Sequence, residues 1–89
     1  MYIRLRLIHP DCMDEDKLMQ LVAVHVTRVR KAAGKSQEDL AADTQMHTNH
    51  ISLVERNQRG LSVKALNKIC NAVGIELSDF FREIESKDA

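Results

Sequence analysis

The chain has few of the features that mark an enzyme, a membrane protein or a disulfide-stabilised protein. None of its apolar runs approaches the roughly 18 residues of a membrane-spanning helix, and its first residues do not resemble a secretory signal. Its two cysteines, Cys12 and Cys70, have no CxxC spacing, which favours free thiols in the reducing cytoplasm. We find no glycine-rich phosphate loop, no nucleophile paired with a base and no catalytic carboxylate pair, so we expect neither catalysis nor a cofactor.

The chain also lacks a net charge, which at first argues against a nucleic-acid partner. Its 13 basic residues balance its 13 acidic ones. The two signs are segregated, however, because basic residues dominate 28–35 and 47–68 whereas acidic residues gather at 11–16 and 76–88. Local field rather than net charge attracts phosphate, so a neutral total is compatible with one basic face. The alternative is a solvated surface of mixed charge.

Apolar residues at helical spacing, separated by capping residues, predict five short helices. The expected N-caps are Asp14, Ser36, His47 or Thr48, Ser62 and Ser78. The apolar stripe of the fourth helix is expected to comprise Val63, Leu66, Ile69, Cys70 and Val73. Gly34 and Gly74 fit the left-handed position after a helix end. We therefore predict an all-α, compact five-helix bundle over residues 14–86, with residues 1–13 as an N-terminal extension and 87–89 as a tail.

Residues 2–8 alternate apolar and polar side chains, which predicts a short N-terminal β-strand. A lone strand has no partner in an otherwise helical chain. It must therefore lie on a helix, pair with a second chain or stay disordered.

The segment from Ser36 to Ser62 is the most informative part of the sequence. It reads as a short capped helix, a tight turn, a second short helix with small polar residues on its outer face, and a loop with two arginines. This pattern is typical of a helix-turn-helix DNA reader, in which the second helix enters the major groove while flanking groups contact phosphate.

Over residues 22–81 the chain resembles the phage-repressor and Cro-type regulators. The matching positions are Ser36 to Ala41, Ile51, Ser52, Glu55, Arg56, Arg59, Ser62, Leu66 and Ala72 to Ile75. Residues 51–62, ISLVERNQRGLS, look like the controller proteins of restriction–modification systems, which are small dimers that bind palindromic operators. Two positions depart from the family. Gln45 replaces the frequent turn glycine and would need a left-handed backbone or a different turn, and His47 replaces a small capping residue.

The resemblance implies a role for individual residues. The expected base contacts are Thr48, Asn49, His50 and Arg59. The expected phosphate contacts are Gln37, Ser52, Arg56 and Asn57. Asn57 equally fits the left-handed end of its helix. Glu55 would repel phosphate, so we expect it either to pair internally, with Arg30 as the candidate partner, or to accept hydrogen bonds from backbone N–H groups.

Histidines at positions 47 and 50 have a helical spacing that also occurs at metal sites. Because no third or fourth ligand lies nearby in the sequence, we expect no metal. His25 lies beside the apolar stripe of the first helix and is expected to be packed or half-exposed.

These features predict a sequence-specific regulator that binds double-stranded DNA as a homodimer on a palindromic operator. One reading helix covers only a few base pairs, and two-fold pairing sets the half-sites about 34 Å apart. The alternative is the DNA-binding antitoxin of a toxin–antitoxin pair, in which the N-terminal segment would cover the toxin. We expect no membrane partner and no small-molecule ligand.

We expect the dimer to form through the fifth helix. Its apolar side chains are Leu77, Phe80, Phe81 and Ile84. A helix of only about two turns, the length expected here, leaves little room to bury them all in one small core. We therefore expect an isologous two-fold interface at this patch. The unpaired edge of the N-terminal strand is the second candidate.

Overall fold

The structure, a computed structural model, describes residues 15–88 and the side chains of residues 16–85. Within that range it contains no strand and five helices: α1 (Glu15–Ala32), α2 (Gln37–Thr44), α3 (Thr48–Glu55), α4 (Val63–Val73) and α5 (Leu77–Asp88). The predicted all-α bundle is confirmed. The predicted N-terminal strand and the Asp14 cap lie outside the described residues.

The long helix α1 supplies the surface on which the others pack. Val22, Val26 and Val29 recur on one of its faces and are buried. The helix ends before Gly34, whose φ of 71° is the left-handed conformation predicted for it. Helices α3, α4 and α5 contact α1, while α2 lies on α3 and α4. This arrangement holds the two short helices α2 and α3 against a common core, which they need because so short a helix is unstable alone.

All five helices contribute to a single apolar core. Its buried members are Val22, Val26, Val29, Leu40, Ala41, Ile51, Leu66, Ile69, Cys70, Phe80 and Ile84. Burial raises the pKa of the Cys70 thiol to about 11, so this cysteine stays protonated and packs as a small apolar side chain. Within residues 15–88, no helix combines the length and apolar composition that crossing a membrane would require.

Both predicted ends of α4 are confirmed, but one residue of its predicted apolar stripe is exposed. Ser62 caps it, because the Ser62 side chain accepts a hydrogen bond from the Ala65 backbone N–H at 3.1 Å. Gly74 ends it with a φ of 83°. The placement of Val63 in the buried stripe is wrong, since this residue is 68% exposed. Val63 is the first residue of the helix and precedes the turn that faces the core.

The helix α5 differs from its prediction at both ends. Ser78 is not its cap, because the helix begins at Leu77 and the Phe80 N–H donates to the Glu76 carbonyl at 3.0 Å. The helix is 12 residues long rather than about two turns. Phe80 and Ile84, four residues apart, share one face of the helix and are both buried in the protomer core.

His25 is packed, as predicted, and it joins α1 to α5. Its ring meets the edge of the Phe80 ring, with 4.7 Å between the ring centroids. Its Nε2 atom lies 2.8 Å from Oε1 of Glu83, which is ion-pair distance. The ring nitrogen has no hydrogen-bond partner within the described residues, so its approach to Glu83 is a close contact that joins α1 to α5.

Candidate nucleic-acid interface

The turn between α2 and α3 sets the direction of the reading helix. Gln45 has φ 60° and ψ 34°, so the left-handed backbone that the missing glycine requires is confirmed. The Gln45 N–H donates to the Ala42 carbonyl at 3.3 Å, and the Met46 N–H donates to the Ala41 carbonyl at 2.9 Å. These bonds close the end of α2 and turn the chain sharply into α3.

The start of α3 has no side-chain cap. His47 takes the N-cap position with an extended backbone, but its side chain accepts no hydrogen bond from the helix. The alternative, that Thr48 would cap one residue later, is wrong because Thr48 is already the first helical residue. The first N–H groups of α3 are therefore open to solvent or to a ligand.

The outer face of α3 carries the predicted base-reading residues. Thr48 and Asn49 are exposed and His50 is half-buried. Their side chains form no hydrogen bond within the described residues. Ile51 and Val54 on the opposite face are buried and attach the helix to the core. The hydroxyl, amide and imidazole groups are thus held in place by a rigid helix and remain available to an external partner.

The loop after α3 carries the two arginines of the predicted site. Arg56 is exposed, and its Nε–H donates to the Ser52 carbonyl over a long 3.4 Å. Asn57 has a φ of 58°, so its left-handed conformation is confirmed. Arg59 is exposed and lines an open depression together with Asp16 of α1. Ser52 lies half-buried on α3 itself.

A buried ion pair joins α1 to the end of α3. Oε2 of Glu55 accepts a hydrogen bond from Nε of Arg30 at 2.7 Å, and Oε1 accepts one from Nη2 at 3.1 Å. The predicted pairing of Arg30 with Glu55 is thus confirmed. Only 11% of the Arg30 side chain and 5% of the Glu55 side chain are exposed. The second amino group of Arg30, Nη1, donates to the Lys35 carbonyl at 2.8 Å and so fixes the α1–α2 loop.

Gln37, a predicted phosphate contact, meets this pair from α2. Its Nε2 donates to Oε1 of Glu55 at 3.0 Å. Gln37 is the first residue of α2, next to a capping box in which Asp39 N–H donates to Ser36 Oγ at 2.9 Å and Ser36 N–H donates to Asp39 Oδ2 at 3.1 Å. The amide of Gln37 therefore lies at the positive end of a helix whose geometry is fixed on both sides.

Comparison with known proteins identifies the family to which this architecture belongs. A family model described as a helix-turn-helix matches residues 26–80. The chain belongs to this helix-turn-helix family. A curated relative, control protein C.MunI from Mycoplasma sp, is 36% identical over 52 residues, which are 58% of this chain and 70% of the relative.

Solved structures of helix-turn-helix proteins have the same fold. The wild-type restriction–modification controller protein C.Esp1396I is 30% identical, with a TM-score of 0.75 over 79% of this chain and 92% of that one. A tetramer of the same controller in complex with its natural 35 base-pair operator gives a TM-score of 0.74, also at 30% identity, over 79% and 92% of the two chains. The clp gene regulator ClgR from C. glutamicum, 22% identical with a TM-score of 0.73 over 81% and 92%, shares the fold alone.

The predicted dimer patch of this helix-turn-helix protein is divided by the structure. Phe80 and Ile84 are buried in the protomer core, so they support the patch from beneath rather than form its surface. Leu77 and Phe81 remain partly exposed. The Phe81 ring packs edge-on against Phe80 with 5.6 Å between centroids. The part of the patch that a second protomer could reach is therefore limited to these two side chains and their neighbours.

One contact of the helix-turn-helix unit was missed by the sequence analysis. Nothing in the sequence indicates that Gln37 donates to Glu55, because the two residues lie 18 positions apart and on different helices. The sequence did predict that Glu55 would be paired internally. It did not indicate that Gln37 would be a second donor to this carboxylate.

Proposed function

We propose that this protein is a transcriptional regulator of the restriction–modification controller type that binds double-stranded DNA as a homodimer on a palindromic operator. The observation that carries the proposal is the outer face of α3, where Thr48, Asn49 and His50 extend from a helix anchored by buried Ile51 and Val54. Polar groups that have no hydrogen-bond partner among residues 15–88, on a helix that follows a sharp turn, suit the reading of base edges in the major groove.

The proposed base contacts differ in what they can recognise. The Asn49 amide can form two hydrogen bonds with adenine. Thr48 can donate, accept or contact a thymine methyl group. His50 is half-buried and Arg59 lies on the loop after α3, so both would reach the edges of the site read by the helix.

The proposed phosphate contacts surround these groups. Gln37 lies at the start of α2, Ser52 on α3, and Arg56 and Asn57 at its end. Contacts of this kind fix the register of the protein on the duplex without carrying sequence information themselves. In this arrangement α2 and the loop after α3 hold the two strands on either side of the reading helix.

The proposed homodimer doubles the number of base pairs read. The restriction–modification controller C.Esp1396I is a tetramer in complex with its natural operator, and for this chain we propose pairing through Leu77 and Phe81 of α5. An isologous contact of this type matches the symmetry of a palindrome. The proposal places the protein in the cytoplasm with the DNA that it binds, and assigns it no catalytic activity.

Selection of duplexes from a random-sequence pool, followed by gel-shift titration, tests the reading face. Asn49→Ala should reduce discrimination between the selected duplex and a scrambled one by about 1–3 kcal/mol, because a base contact is lost. Arg56→Ala should instead weaken binding to both duplexes, since phosphate contacts are independent of sequence. Asn71→Ala, at an exposed position of α4, is the matched asparagine control. Equal losses on both duplexes for Asn49→Ala would exclude base reading by this residue.

Analytical ultracentrifugation tests the proposed pairing. Phe81→Asp should convert the dimer to a monomer, because it places a charge in an apolar interface, while leaving the core residue Phe80 in place. Arg82→Ala, at the adjacent exposed position, is the control and should not change the sedimentation coefficient. A dimer that survives Phe81→Asp would move the interface away from α5.

A further inference from the structure

Gln37 donates a hydrogen bond to a side chain that is itself fixed. Its amide approaches Oε1 of Glu55 at 3.0 Å. Because a carboxylate only accepts hydrogen bonds, the atom that faces Glu55 is the amide nitrogen, and the orientation of the amide is unambiguous. The carbonyl oxygen of Gln37 must therefore point elsewhere.

Glu55 has little freedom to move. Arg30 donates to both of its carboxylate oxygens, at 2.7 and 3.1 Å, and Arg30 is held in turn by the Lys35 carbonyl at 2.8 Å. Burial alone would raise the pKa of Glu55, but the hydrogen bonds from Arg30 and Gln37 outweigh it and hold the pKa below the ordinary value. Glu55 is thus ionised at neutral pH, so it remains an acceptor that cannot turn into a donor.

A primary amide has two N–H donors, and Glu55 takes one of them. The other has no acceptor within the described residues. Gln37 is half-buried at the first position of α2, where the neighbouring backbone N–H groups precede the first helical hydrogen bond. An anion is favoured at this helix end, and the second amide donor of Gln37 is left available to it.

We propose that Glu55 is a positioning residue for DNA binding: it fixes the Gln37 amide so that the second N–H donor is directed at a backbone phosphate. This inference rests on the proposed function, because Gln37 must contact the duplex. A free glutamine side chain would lose rotamer entropy on binding. A glutamine already held by Glu55 has lost most of it in the free protein, which strengthens the contact.

Two neutral variant pairs separate positioning from support of the fold. Arg30→Met/Glu55→Gln and Arg30→Met/Glu55→Met both remove the buried charges, and replacing a buried ion pair with uncharged groups of similar volume is often tolerated. They differ in whether position 55 keeps a polar acceptor, which Thr27 uses as well as Gln37. Against the selected duplex, the Gln variant should bind up to about tenfold more tightly, because the rotamer entropy of the Gln37 side chain is already lost before binding.

Adding Gln37→Ala to each of the two variant pairs shows whether the difference in affinity depends on Gln37. If Glu55 acts through Gln37, the two pairs should bind equally in this background, whereas in a Ser52→Ala background the difference should remain. Circular dichroism at the assay temperature establishes that all variants are folded. A difference that persists in the Gln37→Ala background would mean that position 55 supports only the fold, and would overturn the inference. Equal binding with Gln37 present would overturn it as well.

The unmodified protein offers a second measurement that does not depend on how the variants fold. In ¹⁵N-labelled protein the two Gln37 amide protons should be well separated, since one of them faces a carboxylate. Addition of the selected duplex should move the free proton and leave the other in place. Loss of the Glu55-bound signal on binding would show that Gln37 leaves Glu55 and would refute positioning. A selection that enriches no duplex refutes the proposed function itself, whereas enrichment without these Gln37 effects refutes only the role of Glu55.

Discussion

The two short helices of the helix-turn-helix unit begin in opposite ways. The start of α2 is held by the Ser36–Asp39 capping box and by the contact of Gln37 with Glu55. The start of α3 has no side-chain cap, and the exposed Thr48 and Asn49 there form no hydrogen bond within the described part of the chain. Contacts within the chain thus fix the start of α2, which together with the Arg30–Glu55 pair we call the frame. The side chains at the start of α3, the reading end, remain available to a partner. Substitutions in the frame should therefore act mainly on stability, with Gln37 and Glu55 affecting DNA binding as well, and substitutions of the exposed α3 side chains should act mainly on recognition.

Removal of the buried ion pair should have the largest effect on the frame. Glu55→Ala leaves the Arg30 guanidinium buried without its counter-charge, which costs about 3–5 kcal/mol of unfolding free energy. Urea denaturation followed by circular dichroism measures this loss. Asp43→Ala, which breaks the exposed pair with Lys35, is the control and should change stability little. Similar losses for both variants would remove the distinction between the buried pair and a surface pair.

Low pH should weaken the Arg30–Glu55 pair in the unmodified protein. Burial acts to raise the pKa of Glu55, but hydrogen bonds from Arg30 and Gln37 prevail and leave it below the ordinary 4.5. A lowered pKa adds stability above the unfolded value, and this stability is lost as pH falls through the folded value. Unfolding free energy should therefore decrease as the pH falls below about 4.5, and less steeply in Arg30→Met/Glu55→Met. Identical slopes would indicate that other carboxyl groups dominate the acid response.

Substitutions at the two N-caps should change stability the least, and they compare the two helix starts directly. Ser36→Ala removes a side-chain cap and should destabilise the protein by about 0.5–2 kcal/mol. His47→Ser supplies a cap that α3 lacks and should stabilise the protein by at most about 1 kcal/mol. Thermal unfolding of the two variants beside the unmodified chain measures both signs. A loss of stability in His47→Ser would mean that the His47 side chain supports α3 in another way.

The sequence predicted local features well because they depend on neighbouring residues. The capping box of Ser36, the left-handed Gln45 and the two glycine helix ends all follow from the conformational preferences of a few adjacent positions. The Arg30–Glu55 pair was predicted for a different reason: an acid on a surface that should attract phosphate needs an internal partner. The resemblance to a family then supplied the roles of the outer-face residues, which remain proposals.

The remaining features depend on tertiary packing and were less accessible. Whether Phe80 belongs to the core or to a dimer surface depends on how α5 packs on α1 and α4, and the structure places it in the core. Ser78 is a residue type that often caps helices, yet α5 starts at Leu77, two residues before the start that a Ser78 cap would give. The Gln37–Glu55 contact requires the mutual orientation of α2 and α3, which no pattern of spacing encodes.

The left-handed backbone of Gln45 bears on how much of this protein a cell would hold. A residue with a side chain at a φ of 60° is strained, by about 1–2 kcal/mol relative to a right-handed conformation, whereas glycine is not. Differences of this size can change intracellular abundance several-fold through the turnover of unfolded chains. A regulator with no small-molecule ligand, as the sequence leads us to expect, would be controlled by its own concentration. The strained Gln45 would then lower the steady-state concentration of the protein. Gln45→Gly would raise that concentration, so the operator would become occupied earlier.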